Sequence, residues 1–254
     1  MHSKNDGINV VQISDTHIFS DEKKELLGFC TLSRLEKVID HILSASPTPD
    51  IVLITGDISQ DETRQSYELA LNRFERFDCP VYWIAGNHDN PSALNPIFRN
   101  SDKLIKLETL ITQYWDFVSI DSCKRGTDDG YISTAEYKKF QSKIKKSQSD
   151  NKNIVVVMHH HPLPVNTPLL DDCMLKNGSE FLEFVNSTQQ IKLIMCGHVH
   201  GEYQIKQNGL VIETCPATCF QWVKGTSTVK TENTQGYKMF ELKSDSYSSK
   251  SIFI

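Results

Sequence analysis

The sequence lacks a basic excess, a long apolar run and a paired-cysteine motif. Its 254 residues carry 27 Lys and Arg against 32 Asp and Glu, a formal net charge of −5, which disfavours a protein that coats nucleic acid. No run approaches the ~18 apolar residues of a membrane span, and residues 1–6 hold no apolar signal segment. Seven cysteines form an odd set without a CxxC pair, which favours a reducing compartment. We therefore expect a cytoplasmic protein with no nucleic-acid or membrane partner.

Several common catalytic signatures are also missing. The chain contains no G-x-S-x-G, Walker A or H-E-x-x-H motif. Cys215 and Cys219 are the closest cysteine pair, and without a companion CxxC we interpret them as structural rather than as zinc ligands. The lysine-rich segment 133–146 is interpreted as a solvated helix face rather than an anion-binding patch.

Polar residues follow five apolar runs along the chain. These clusters are Asp15-Thr16-His17, Gly56-Asp57, Gly86-Asn87-His88-Asp89, His159-His160-His161 and Gly197-His198-Val199-His200. They contain all of the nine histidines except His2 and His41; we interpret His41, on an amphipathic helix, as packing or surface. Because open α/β sheets place ligands at the carboxyl ends of their strands, this pattern predicts one metal centre with oxygen and imidazole ligands.

The order of the elements predicts an α/β domain. Residues 31–44 and 61–77 lie between the first three runs and carry apolar side chains at helical spacing, so a βαβαβ order and a parallel sheet follow. We expect a single domain over 1–254, with a possible flap at 219–236. The remaining predictions are helices at 133–146 and 179–185, and strands at 104–107, 115–121, 154–158, 191–196, 210–214, 237–242 and 251–254.

In this order and at these separations, the five clusters resemble the motifs of the calcineurin-like metallophosphoesterases, over residues 15–200. Leu26-Leu27-Gly28, the run from Gly56 to Asp61, the triple histidine before Pro162-Leu163-Pro164, and Pro216-Ala217-Thr218-Cys219 resemble bacterial class III 3′,5′-cyclic AMP phosphodiesterases, over about residues 8–242. The resemblance implies a four-layer αββα sandwich, in which helices flank two mixed β-sheets and a dinuclear metal site lies at the strand carboxyl ends.

The resemblance also implies the metal ligands. One ion is expected on Asp15, His17 and His200, the other on Asn87, His160 and His198, with Asp57 bridging both. His160 is preferred to His159 because it lies two residues before Pro162 and because successive strand residues point to opposite faces. These ligands suit Fe, Mn, Zn or Co without selecting one.

The expected activity is hydrolysis of 3′,5′-cyclic AMP to 5′-AMP. A water shared by two divalent cations loses a proton near neutral pH and becomes the nucleophile. His88 is expected to give the leaving 3′-oxygen its proton, with Asp89 orienting its ring. The residues expected to contact substrate are His17, Asn87, His88, His161 and His200. The aromatic side chains of Phe220 and Trp222 are candidates for stacking on adenine.

Other functions stay open at this stage. The same centre would suit another small phosphodiester, such as a glycerophosphodiester or a 2′,3′-cyclic nucleotide, or a nucleotide phosphatase. The motifs contain no extra cationic side chain for a monoester, which favours diesters. A metal-binding scaffold without turnover is disfavoured because every motif residue is present. The protein is expected to be a monomer or a homodimer.

Overall fold

The computed structural model describes residues 7–147 and 152–254. In these ranges the helices are α1 (Thr31–Ser44), α2 (Arg64–Phe74), α3 (Pro91–Phe98), α4 (Thr134–Ser147), α5 (Pro168–Asp171) and α6 (Gly178–Ser187). The strands are β1 (Ile8–Ile13), β2 (Glu25–Leu26), β3 (Phe29–Cys30), β4 (Ile51–Thr55), β5 (Val81–Ile84), β6 (Leu104–Lys106), β7 (Thr109–Ile111), β8 (Trp115–Ser119), β9 (Asn153–Met158), β10 (Ile191–Cys196), β11 (Gln204–Gln207), β12 (Leu210–Thr214), β13 (Gln221–Trp222), β14 (Thr231–Glu232), β15 (Gly236–Leu242) and β16 (Tyr247–Phe253). None of the helices in the described ranges has the length and apolarity needed to cross a membrane. The N-terminal residues 1–6, considered above for a signal segment, lie outside the described ranges.

The first sheet has six strands in the order β16-β15-β1-β4-β5-β6. Strands β1, β4, β5 and β6 run parallel to one another. Strand β15 pairs antiparallel with β1, and β16 pairs antiparallel with β15 at the edge. The predicted βαβαβ unit is confirmed, and its three strands end at the same edge of the sheet.

The second sheet repeats this design in the order β11-β12-β10-β9-β8-β7. Its four central strands are parallel, and an antiparallel strand lies at each edge. Both sheets are therefore mixed, as expected.

Three apolar clusters define the layers. One packs α1, α2 and α3 on the outer face of the first sheet through residues such as Leu35, Tyr67 and Phe98. A second packs α4 and α6 on the outer face of the second sheet through residues such as Phe140 and Phe181. The third lies between the sheets. The predicted four-layer αββα sandwich is confirmed.

Several local predictions need correction. Helix α2 starts at Arg64 rather than residue 61 because Thr63 caps it, accepting a hydrogen bond from the Ser66 N–H at 3.1 Å. Helix α3 was not predicted; the Asn90 side chain caps it and Pro91 occupies its first turn. The last strand begins at residue 247, earlier than the predicted 251, because its polar residues form an edge strand.

A buried ion pair joins the two sheets. Lys238 of β15 and Glu213 of β12 lie 2.6 Å apart and are almost fully shielded from solvent. The Lys238 ammonium also donates to the Thr214 carbonyl at 3.1 Å, and Glu213 accepts from the Ser249 hydroxyl at 2.9 Å. Because the charges have these partners, the desolvation cost of burial is offset.

Removing one charge of this pair should destabilise the fold. For Lys238→Met we expect the free energy of unfolding to fall by about 3–5 kcal/mol, because Glu213 stays buried without its counter-ion. Urea unfolding followed by circular dichroism measures the loss. The control is Lys243→Met, whose partner Glu241 lies 3.2 Å away at the surface and whose loss should cost at most about 1 kcal/mol. Equal stability of the two variants would contradict the interpretation.

Candidate metal centre

The five polar clusters converge where the carboxyl ends of the two sheets meet. The approach is close enough to require glycine at two positions. A Cβ at Gly197 would lie 2.7 Å from the Thr55 carbonyl oxygen, and a Cβ at Gly86 would lie 2.4 Å from the Asp57 amide nitrogen. The glycines therefore allow side chains from both sheets to face a common centre.

Five of the predicted ligands have a left-handed backbone. Asp15, His17, Asp57, His198 and His200 have φ values between 39° and 70°. This conformation costs free energy in a non-glycine residue, and residues strained in this way concentrate at functional sites. The strained turns aim consecutive side chains of each loop at the centre.

The imidazoles of His17 and His200 present unshared electron pairs to each other. Their Nε2 atoms lie 3.1 Å apart. The Nδ1 of His17 lies 2.7 Å from the Gln60 Oε1, and the Nδ1 of His200 lies 3.2 Å from the Phe220 carbonyl oxygen. If each Nδ1–H donates to its oxygen, each neutral ring would offer the Nε2 lone pair to a cation. A cation fits this arrangement.

The side chains of Asp57, Asn87 and His159 form a second group of potential metal ligands. The His159 Nε2 lies 3.3 Å from the Asp57 Oδ2 and 3.0 Å from the Asn87 Oδ1. The other ring nitrogen, Nδ1, donates to the Thr55 carbonyl oxygen at 2.8 Å. A backbone acceptor on one nitrogen typically fixes a metal-binding histidine with its other nitrogen toward the ion.

His159 is a second candidate beside the predicted His160, and the ligand atoms of His159, His160 and His198 lie within 4.8 Å of one another. The His160 ring packs near that of His198, with centroids 4.5 Å apart. However, its Nε2 donates to the Asp128 carbonyl oxygen at 3.2 Å, and its Nδ1 lies 2.9 Å from the Ser122 hydroxyl. Both nitrogens thus contact oxygens outside the predicted ligand set, whereas the His159 Nε2 contacts the side chains of two predicted ligands, Asp57 and Asn87. The geometry favours His159.

Asp15 and His198 complete the centre. Both Asp15 carboxylate oxygens accept the His198 backbone N–H at 3.1 Å, and Oδ1 lies 3.6 Å from the His200 Nε2. The buried Nε2 of His198 has no hydrogen-bond partner among the described residues. Burial raises the pKa of Asp15 to about 7 and lowers the pKa of His17 to about 4. A divalent cation would favour the ionised carboxylate and the neutral imidazole together.

His161 does not border the cavity, contrary to expectation. Its side chain is fully buried, and its ring lies behind His198 at 5.9 Å between centroids, nearly parallel to it. Its Nε2 faces the Asp171 carboxylate at 3.7 Å. Its position behind a predicted ligand indicates packing rather than substrate contact.

Asp89 also has a role different from the expected one. Its carboxylate binds the loops of the second and third clusters instead of the His88 ring. It accepts hydrogen bonds from the backbone N–H groups of Ile58, Ser59 and Gly86 and from the Tyr67 hydroxyl. Asp89 therefore holds the backbone from which Asp57 and Asn87 project, and another residue must orient His88.

A cavity of about 230 Å³ opens above the centre. Its lining consists of polar residues, namely His17, Asp57, Asn87, His88, Asp128, Cys173, His198 and His200, and of the apolar residues Leu169, Leu170, Trp222 and Val229. The predicted contact residues His17, Asn87, His88 and His200 therefore share one cavity. Of the two predicted aromatic side chains, Trp222 lines this cavity and stacks on the His200 ring at 5.4 Å, whereas Phe220 is buried.

Arg34 of α1 holds both ends of the predicted flap. Its guanidinium donates to the carbonyl oxygens of Cys219 and Thr234 at 3.0 and 3.3 Å and also contacts Asn233. Within the segment, β13 pairs with β14 in a short hairpin. Whether it moves as a flap stays a prediction.

The two closest cysteines have different neighbours. Cys215 lies against the Gln12 carbonyl oxygen, while the Cys219 thiol lies 3.5 Å from the His200 Nδ1. All seven cysteines are unpaired, and burial raises the pKa of both thiols well above its ordinary value. The Cys219 thiol thus contacts His200 at Nδ1, the ring nitrogen that does not face His17.

Comparison with known proteins agrees with this geometry. Residues 8–202 match the family model described as calcineurin-like phosphoesterase. The chain belongs to the calcineurin-like phosphoesterases. A probable cyclic nucleotide phosphodiesterase of Coxiella burnetii is 32% identical, with 92% of this chain and 93% of the relative covered. The 3′,5′-cyclic adenosine monophosphate phosphodiesterase CpdA of Haemophilus influenzae is 30% identical, with 94% and 86% covered.

A solved structure shows the same fold. The dimetal phosphatase from Danio rerio superposes with a TM-score of 0.73 at 13% identity, with 97% of this chain and 98% of that chain covered. The predicted resemblance to calcineurin-like metallophosphoesterases is confirmed. Groups of His, Asp and Cys side chains whose ligand atoms lie within 4.8 Å of one another are present here, including Asp15, Asp57 and His159.

Paired substitutions distinguish His159 from His160. We expect His159→Gln to lose one of two bound metal ions and at least about 100-fold in activity, because it removes a nitrogen aimed at the centre. His160→Gln, which retains a side-chain amide for Ser122 and Asp128, should keep both ions. Metal content per chain after manganese reconstitution and desalting measures this. Loss of an ion from the His160 variant alone would restore the original assignment.

Proposed function

We propose that this protein is a metal-dependent phosphodiesterase that hydrolyses 3′,5′-cyclic AMP to 5′-AMP. The observation that supports this most is the set of imidazole, carboxylate and amide groups whose unshared electron pairs face one another beneath an open cavity. The names of the relatives from Coxiella burnetii and Haemophilus influenzae support the cyclic nucleotide as substrate.

The side chains suit two ions that share a carboxylate. Asp15, His17 and His200 would hold one ion, while Asn87, His159 and His198 would hold the other, with Asp57 between them. Two bound ions supply an activated water and neutralise charge on the phosphate. Imidazole, carboxylate and amide ligands admit Fe, Mn, Zn or Co.

His88 is the proposed catalytic donor of the chain. Its side chain lines the cavity and its backbone N–H donates to the Asp57 Oδ1 at 2.9 Å. This hydrogen bond fixes the residue beside the shared carboxylate. His88 can therefore present a ring N–H to the departing 3′-oxygen, where negative charge develops.

The cavity suits a phosphodiester better than a monoester. Among the described residues that line it, none is Lys or Arg. A phosphate monoester carries more negative charge than a diester and would gain from an additional cationic side chain. The walls instead offer apolar surface from Leu169, Trp222 and Val229, which suits a base and a ribose ring.

The segments that carry this apolar surface are joined to each other. The Leu169 N–H donates to the Thr226 carbonyl oxygen at 3.1 Å, and the Gly225 N–H donates to the Thr167 hydroxyl at 2.9 Å. These bonds join the segment that carries Leu169 to the segment that follows Trp222, and both residues line the cavity. We propose that Trp222 stacks on the adenine ring.

We also propose the cytoplasm as the compartment of this reaction. Unpaired cysteines are typical of a reducing environment. A cyclic nucleotide is a small intracellular substrate, and the proposed activity requires no membrane or nucleic-acid partner. The chain would act as a monomer or a homodimer.

Turnover by the purified protein tests the proposed function. After reconstitution with manganese, iron or zinc, we expect conversion of 3′,5′-cyclic AMP to 5′-AMP, detected by chromatography. Asp57→Ala, which removes the shared carboxylate, should reduce turnover to background. The comparison substrates are 2′,3′-cyclic AMP, bis-p-nitrophenyl phosphate and p-nitrophenyl phosphate. Metal-dependent activity on the generic diester without turnover of 3′,5′-cyclic AMP would reject the proposed substrate.

A second variant tests the base contact. Trp222→Ala should raise KM for 3′,5′-cyclic AMP about 5-fold or more, because stacking of a base on an aromatic ring contributes about 1–3 kcal/mol. The KM for bis-p-nitrophenyl phosphate, which has no adenine, provides the internal comparison and should change less. Trp222→Phe should recover most of the affinity. Equal loss with both substrates would place the role of Trp222 in supporting His200 instead.

A further inference from the structure

The side chain of Gln60 lies between a predicted metal ligand and the proposed catalytic histidine. Its Oε1 lies 2.7 Å from the His17 Nδ1, and its Nε2 lies 3.3 Å from the His88 Nδ1. The rings of His17 and His88 meet edge to face, with centroids 5.0 Å apart. One amide group thus contacts both imidazoles.

The backbone fixes Gln60 in this place. Its N–H donates to the Ile18 carbonyl oxygen at 2.9 Å, and Ile18 pairs with Ser59 in an isolated bridge. The next residue, Asp61, accepts the Ser20 N–H at 2.7 Å and the Ser20 hydroxyl at 2.8 Å. The loops of the first two clusters are therefore joined, and the amide has little freedom to leave.

The orientation of the amide follows from His17. The Nε2 of this histidine faces the His200 Nε2 and the Asp57 carboxylate, so Nε2 is the nitrogen available to a cation. A neutral imidazole that offers Nε2 to a cation carries its proton on Nδ1. The partner of that N–H must be an acceptor, which places the Gln60 carbonyl oxygen on His17 and its NH₂ group on His88.

The same amide then selects the tautomer of His88. Because the Gln60 NH₂ can only donate, the His88 Nδ1 must accept, and the ring proton lies on Nε2. No hydrogen bond from the described residues engages that Nε2, and the side chain lines the cavity. The ring thereby keeps an N–H for a substrate oxygen.

We propose that Gln60 is a positioning residue that sets the tautomers of His17 and His88 through one amide, so that His17 offers a lone pair to a cation and His88 offers an N–H to the substrate. The inference rests on the proposed function for the identity of that substrate. It assigns to Gln60 the orienting role that the sequence pattern suggested for Asp89. The His88 N–H would stabilise the departing 3′-oxygen as it takes the electron pair of the broken P–O bond.

Two substitutions test the carbonyl oxygen and the NH₂ group of the Gln60 side chain separately. Gln60→Glu keeps an oxygen for the His17 N–H and replaces the donor to His88 by an acceptor. Gln60→Met removes both groups at similar size. The affinity for zinc, measured by competition with a chelating dye, should therefore fall about 10- to 100-fold in Gln60→Met and stay near the wild-type value in Gln60→Glu. An equal fall in both variants would overturn the proposal for His17.

Turnover distinguishes the role at His88. In Gln60→Glu we expect kcat for 3′,5′-cyclic AMP to fall about 10- to 100-fold, because a neutral His88 ring that donates its Nδ1–H to the new carboxylate has no proton on Nε2 for the alkoxide leaving group. The p-nitrophenolate of bis-p-nitrophenyl phosphate is a stable leaving group, so its release should slow by less than about 3-fold. Gln65→Glu, the same change at an exposed position of α2, is the matched control and should behave as wild type. A uniform loss with both substrates would contradict the assignment.

A double-mutant cycle tests whether Gln60 acts through His88. Once His88→Gln has removed the ring, adding Gln60→Glu should lower kcat for 3′,5′-cyclic AMP by less than about 2-fold, since coupled residues are not additive. Independent, multiplying losses would mean that Gln60 acts elsewhere. The proposed function is tested by the wild-type kcat alone. The kcat values of the variants in the cycle are compared with that wild-type value.

A direct measurement needs no substrate. In the zinc-loaded wild-type protein with ¹⁵N-labelled histidine, long-range ¹H–¹⁵N correlations should show the His88 proton on Nε2 and the His17 proton on Nδ1. In Gln60→Glu the His88 Nδ1 should acquire a proton. A protonated His88 Nδ1 in the wild-type protein would overturn the proposal, even if the enzyme hydrolyses 3′,5′-cyclic AMP.

Discussion

The structure depends on fixed acceptors behind the imidazoles of the metal centre. Gln60, the Thr55 carbonyl oxygen and the Phe220 carbonyl oxygen each take an Nδ1 proton from a histidine, which leaves the opposite nitrogen with an unshared electron pair. A cation bound at the centre would accept these electron pairs, and the fold holds the side chains that would present them close together.

Some features of this arrangement raise the free energy of the folded state, and others lower it. Left-handed backbone at five predicted ligands and the buried carboxylates raise the free energy of the folded state. Apolar layers on both outer faces and between the sheets, with the Glu213–Lys238 pair across them, lower it. Because the ligands come from both sheets, any relative movement of the sheets would alter the metal centre directly. The inter-sheet contacts are thus part of its geometry.

Hydrophobic patterning predicts the central strands well and the edges poorly. The runs that became β1, β4, β5, β9 and β10 are apolar because both of their faces are covered, and their carboxyl ends predicted the rim correctly. Edge strands such as β7 and β16 carry alternating exposed residues and resemble loops. Helix α3 spans eight residues with Pro96 inside it, so its sequence resembles a turn. These elements form because neighbours cover them.

The site residues were predicted as a group, but the roles of adjacent residues were not. His159 and His160 have the same side chain, and their difference arises from which acceptors each ring reaches: Thr55 on the other sheet for the first, Ser122 and Asp128 for the second. Those partners are distant in the chain, so spacing relative to Pro162 carries no information about them.

The same reasoning applies to the orientation of His88. Asp89 is adjacent to this histidine in sequence, yet the turn aims its carboxylate at the backbone N–H groups of Ser59 and Gly86. Gln60 lies three residues after the second cluster and 28 residues before His88 in the chain, and it reaches the ring because the loops of two neighbouring parallel strands lie side by side. In a sheet of this kind, the residue that orients a catalytic side chain is best sought on the adjacent strand's loop rather than next to it in sequence. Gln60 belongs to the run from Gly56 to Asp61 and lies three residues before the helix-capping Thr63.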